Sequence, residues 1–197
     1  LETRKESLSG SVMETRRHKS GHSARDLSIA GLFGALGVVV PILFHLVGIG
    51  KVFLPMHLPI LVCGMLVAPP VAFAVGVVTP IVSSMATGMP PMVPMGVLMT
   101  LELGTLAAAG SLFRRRLRMP VMVSVIAAML AARVVGAGEA LLLAPLLGLK
   151  QGVAAYLAGS VVTSWPGLLL QLIAVPAVVG AVEKLHHTAP SNTKEAN

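Results

Sequence analysis

Long uncharged runs, broken by short basic or proline-rich interruptions, set the pattern of this chain. Between Asp26 and Lys51 lie 24 uncharged residues, 27–50, enough for one membrane span of about 20 residues. Between Lys51 and Glu102 lie 50 more, 52–101, too many for one crossing and suited to two short ones with their connections. Pro69-Pro70 divides them, because the ring of Pro70 biases residue 69 away from helix and proline readily begins a new one. Thr87-Gly-Met-Pro-Pro-Met-Val-Pro94 is too rich in proline for regular helix and reads as a second connection. The pattern thus predicts helices near 27–46, 57–68, 71–86 and 95–113. Arg114-Arg-Arg-Leu-Arg118 ends the fourth, and Pro120 opens a fifth that runs to about 147, with an irregularity near Gly136–Gly138. A sixth is predicted over 156–183, with kinks at Pro166 and Pro176.

Composition turns this pattern into a class. Hydrophobic residues make up 55% of the chain and charged ones 12%, whereas a soluble domain carries about a quarter charged residues. Disorder, collagen and a disulfide-stapled secreted fold are excluded, the last also by the single Cys63. The expected class is an all-α membrane protein with six transmembrane helices.

The net charge of +7 comes from 15 Lys+Arg against 8 Asp+Glu. On a soluble chain that excess would point to nucleic acid; here the basic residues fall in clusters between apolar runs, so no nucleic-acid partner is expected. With the N-terminus inside, twelve of the basic residues fall on inner segments, only Lys51 and Lys150 fall outside, and Arg133 is left within a span. That bias predicts both termini to be cytoplasmic. The chain then divides into a basic cytoplasmic tail over 1–26, a six-helix membrane domain over 27–184 and a cytoplasmic tail over 185–197. Residues 1–12 are read as non-native, with Met13 as the natural start, and no cleavable signal pattern stands out.

Three charged residues remain near the spans: Glu102, Arg133 and Glu139. Each costs a few kcal/mol at the bilayer centre, so a partner or a wet cavity is expected. At about 1.5 Å per residue, Glu102 falls roughly 10 Å below the outer surface and Arg133 roughly 20 Å above the inner one. In a core about 30 Å thick these are the same level. Trp165, taken as nine residues into the sixth helix, falls there too, and Gln171 somewhat deeper. Two readings stay open: a pocket for a small polar solute, with Arg133 clamping a carboxylate and Trp165 offering a stacking face, or a structural Glu102–Arg133 pair that only locks helices. Glu139 is expected to be an interfacial, solvated carboxylate.

His45 and His57, with Met56, Met85, Met89, Met92, Met95 and Met99, could form a soft-metal site. Methionines in apolar helices are ordinarily packing, and no compact His/Cys cluster accompanies these, so no metal site and no cofactor are assigned. In the first helix Ala30-x-x-x-Gly34 and Gly31-x-x-x-Ala35 place small residues four apart, a pattern that lets another helix approach closely. No G-x-x-x-x-G-K-[ST], G-x-S-x-G, H-E-x-x-H or C-x-x-C is present, so any energy input must come from a partner or a gradient.

Several stretches together resemble the substrate-binding S-components of energy-coupling factor (ECF) vitamin transporters. They are Phe53-Leu-Pro-Met-His-Leu-Pro-Ile-Leu-Val-Cys-Gly64, Pro80-Ile-Val-Ser-Ser-Met-Ala-Thr-Gly-Met-Pro-Pro91, Met99-Thr-Leu-Glu-Leu103, Ala132-Arg133 and Trp165-Pro-Gly-Leu-Leu-Leu-Gln-Leu172. The likeness covers roughly 27–184 and is greatest to the pantothenate-type branch. It implies a six-helix bundle in a prokaryotic cell membrane that captures a vitamin from outside. Such a bundle docks on a transmembrane coupling subunit driven by two ATPase subunits and has no catalysis of its own. It also implies that Ala30, Gly31, Gly34 and Ala35 face the coupling subunit, and that His57, Pro90, Glu102, Arg133, Trp165 and Gln171 form the substrate site. Aromatic residues are only 4% of the chain, which suits a slim aliphatic ligand better than a flavin or folate. Another vitamin, an amino-acid-like solute or a transition metal stands as alternative cargo, and a membrane-embedded enzyme or an assembly scaffold as the alternative of another class.

Overall fold

The computed structural model describes residues 24–48, 50–146 and 158–188. Most of the basic N-terminal tail, the expected helix start near 156, Lys150 and the end of the C-terminal tail lie outside the described residues. Within them the main helices are α1 (Ala24–Leu46), α2 (His57–Leu66), α3 (Pro69–Thr87), α4 (Val97–Ser111), α5 (Val121–Leu146) and α6 (Trp165–Thr188). A single turn, Gly50–Phe53, follows α1, and wider π-type turns at Met92–Gly96, Leu112–Arg116 and Ala158–Thr163 flank the later helices. No strand occurs among the described residues.

Among the described residues five helices are long and apolar enough to cross a membrane: α1, α3, α4 with its continuation to Arg116, α5 and α6. The second, α2, has 10 residues and a length of about 15 Å, half of a 30 Å hydrocarbon core. Of the six transmembrane helices expected from the sequence, with the second a short one over 57–68, the described residues hold five candidate spans and the short helix His57–Leu66. Its sequence explains its place. Pro59 to Met65 is apolar on every side, and every one of these residues is buried; a helix without a polar face belongs inside.

Local chemistry fixes the helix ends. Pro69 and Pro70 occupy the first turn of α3, where a missing N–H is not needed. Gly88, at φ 69°, closes that helix in the left-handed region and donates its N–H to Ser84 O at 3.0 Å. Two expectations are corrected. The helix α5 continues through Gly136–Gly138 without a break, because Ala137, Glu139 and Ala140 around the glycines all tolerate helix. The last helix begins at Trp165, so Pro166 lies in its first turn and only Pro176 lies in its interior.

The core forms where α4 packs against α2, α3 and α5, with Ile60, Leu61, Leu103, Leu106 and Val125 fully buried. Gly64 permits the α2–α4 approach: a Cβ there would lie 2.5 Å from Ala107 O. One end of the bundle is tied by polar contacts. Asp26 accepts the Ala68 N–H at 2.9 Å and a weaker contact from Arg115 Nη1 at 3.4 Å. Arg115 also donates to Leu66 O at 3.2 Å, Ser111 Oγ donates to Val67 O at 2.6 Å, and Arg114 Nη2 donates to Glu183 at 2.7 Å. The start of α1, the end of α2, the end of α4 and the last turns of α6 thus meet at one basic end. Because α2 is anchored there and is only half-length, its first residue, His57, sits near mid-depth.

Candidate functional site

The helix register brings four of the sequence-nominated polar residues toward the level at which α2 begins. Glu102 lies five residues past the start of α4, Arg133 lies 12 residues past the start of α5, and Gln171 lies six residues into α6. Arg133 Nη1 donates a short hydrogen bond to Glu102 Oε1. His57 Nε2 stands 3.6 Å from the same oxygen, beyond hydrogen-bond range. The expected meeting of guanidinium and carboxylate is present, and a histidine joins it.

The group of His57, Glu102 and Arg133 is closed: His57 is 4% exposed and Glu102 6%, while the Arg133 side chain keeps 15%. Both ring nitrogens of His57 have no hydrogen-bond partner among the described residues, and on α6 Gln171, 1% exposed, has an unpartnered Nε2. Both carboxyl oxygens of Glu139 are in the same state. Leaving such groups unmet in an apolar interior costs on the order of 1–3 kcal/mol each. Native proteins keep few such groups, and those they keep are commonly met by water, an ion or a ligand.

The other nominated residues lie elsewhere. Trp165 heads α6 and is 59% exposed, so its ring is not enclosed with the ion pair. Pro90 follows Met89 through a cis peptide in the connection after α3, and its carbonyl accepts Ser84 Oγ at 2.6 Å. Ser83 Oγ holds Met89 O in the same way at 2.7 Å. The serine pair of the Pro80–Pro91 motif thus fastens the proline-rich turn to the end of its own helix. Ala30, Gly31, Gly34 and Ala35 line a shallow groove of about 450 Å³ between α1 and α3. Ala30 is buried at its base, whereas Gly31 and Ala35 are exposed.

Glu139 corrects an expectation. It is not a solvated interfacial carboxylate; it is 6% exposed and faces the interior. The signal was in the sequence: Val125, Ala128, Ala132, Gly136, Glu139 and Ala140 recur at helical spacing and form the buried stripe of α5. Among the described residues no group of three or more His, Cys, Asp or Glu side chains gathers as metal ligands would.

The model of the family described as ECF transporter, substrate-specific component, matches residues 25–179. The chain belongs to that family. No curated protein and no solved structure matches it. A substrate-specific component is a transporter subunit rather than an enzyme, and the match takes in all of the polar cluster and most of the six helices. It also makes the protein a multi-pass membrane subunit that associates with an ECF module.

Proposed function

We propose that this substrate-specific component captures a small anionic vitamin, pantothenate first, in the buried cluster of His57, Glu102, Arg133 and Gln171. The observation that carries the reading is the buried Arg133–Glu102 pair with the unpartnered His57 ring 3.6 Å from its carboxylate. A guanidinium has five N–H donors, so one can hold Glu102 while others receive a ligand carboxylate. Glu102 and Gln171 then meet the ligand's amide and hydroxyl groups, and His57 forms the floor. The half-length of α2 supports this arrangement, because it sets the first residue of that helix, His57, beside the Glu102 carboxylate rather than at the membrane surface. Pro90 and Trp165 take the rim positions, in the turn after α3 and at the head of α6.

The basic end faces the cytoplasm in this reading, with both termini on that side. The small-residue groove between α1 and α3 receives the transmembrane coupling subunit, and two ATPase subunits supply the energy for uptake. The test is calorimetry of the purified protein against pantothenate, thiamine, biotin and riboflavin. Pantothenate is expected to bind, and Arg133→Lys, which keeps the charge and loses the fork, is expected to weaken it at least tenfold. Unchanged affinity in that variant removes Arg133 from the site.

A further inference from the structure

The buried carboxyl group of Glu139 has no role in the arrangement above. It sits on the core-facing stripe of α5, 6% exposed, with neither oxygen hydrogen-bonded among the described residues. It stands on the same helix as Arg133, and Glu102 is a charged group whose field reaches it. Within one polar region the chain therefore buries two carboxyl groups and one guanidinium, and that guanidinium is already shared with Glu102. A simple anion leaves this balance unfavourable, because it brings a third acceptor and no donor. Glu139 lies six residues beyond Arg133 toward the end opposite the basic one, roughly 9 Å along the helix axis.

Resting on the proposed substrate site, we infer that Glu139 is a further binding residue, accepting a hydroxyl or amine hydrogen from the end of the solute opposite the one held by Arg133. The cargo is then a bipolar solute, with a carboxylate or similar acceptor at one end and a donor at the other, roughly 9 Å apart. A monocarboxylate with an apolar tail supplies only the first. Selection works through the group left unmet: a ligand lacking the donor leaves Glu139 buried and unsatisfied, and that is a strong basis for rejection.

The experiment compares two probes on the intact, purified protein: pantothenate, and N-isovaleryl-β-alanine, which keeps the carboxylate and amide and lacks the hydroxyls. Wild type is expected to bind pantothenate about tenfold to hundredfold more tightly than the analogue, the range for a hydrogen bond to a charged group. Glu139→Ala is expected to lose that preference, weakening pantothenate and leaving the analogue unchanged, while Glu139→Gln, which keeps a carbonyl acceptor, recovers part of it. Thermal unfolding separates binding from folding. Removing a carboxyl group that makes no hydrogen bond should leave the midpoint unchanged or raise it, and a marked fall would assign Glu139 to the fold instead. Pantothenate binding that is sensitive to Arg133→Lys and indifferent to Glu139→Ala overturns this inference alone. Failure of wild type to bind either probe overturns the proposed ligand class and this inference with it.

Discussion

The carboxylate of Asp26 accepts the backbone N–H of Ala68 at 2.9 Å, joining the first turn of α1 to the residue that caps α3 across 42 positions of sequence. Ala68 has no side-chain acceptor with which to cap its own helix, and the two prolines after it bring no N–H. A carboxylate from another helix takes the place of the missing cap. Replacing Asp26 by Ala should cost about 1 kcal/mol, the usual value for a lost cap. In a protein of this size that lowers the thermal midpoint by about 2–4 °C. Asp26→Asn keeps an acceptor and should recover most of the loss, as read by thermal unfolding in detergent.

Arg133 and Glu102 form a buried pair, and removing one partner leaves the other charge stranded. Arg133→Met alone should therefore destabilise by about 3–5 kcal/mol, whereas the double change with Glu102→Met should recover most of that. Neither variant should bind the solute. If the double variant regains stability and also binds like wild type, the pair only locks helices.

Gly64 and Gly31 are both helical glycines with opposite expectations. A Cβ on Gly64 would press on the Ala107 backbone, which cannot swing aside, while nothing lies within 4 Å of one on Gly31. Gly64→Ala should destabilise by about 1–3 kcal/mol through overpacking. Gly31→Ala should leave thermal stability unchanged.

The exposed groove between α1 and α3 gives a separate test of assembly. Gly31→Leu fills it without touching the core. Solute binding by the isolated subunit should persist, and co-purification with the coupling subunit should fall at least tenfold. Retained assembly would move the docking face elsewhere.

Ser83 and Ser84 hold the carbonyls of Met89 and Pro90. The double Ala variant should release about 1 kcal/mol per lost hydrogen bond from the turn. Hydrogen exchange over residues 88–96 should speed up, with α3 itself unaffected up to Ser84.

The sequence alone determined the class, the rough placement of the helices and the chemical inventory. Uncharged runs bounded by charges and prolines left helices in lipid as the outcome, because backbone groups there must bond within their own segment. The levels of Glu102 and Arg133 were also legible, since helical rise converts residue number directly into depth. What counting could not give is rotation about each axis and the true start of a helix. Trp165 was placed nine residues deep and instead heads α6 in the open, because a wider turn at Ala158–Thr163 and the bend at Ser164 separate it from what precedes. Glu139 was expected in solvent from its depth, yet the face it shares with Ala132 and Gly136 turns it inward. The short α2 was legible too, expected over 57–68 and found as His57–Leu66, and tertiary structure adds only how its end is fixed: Asp26, Ser111 and Arg115 tie residues 66–68 to α1 and to the end of α4. Depth follows from one-dimensional spacing, whereas enclosure depends on which helix faces which, and only packing settles that.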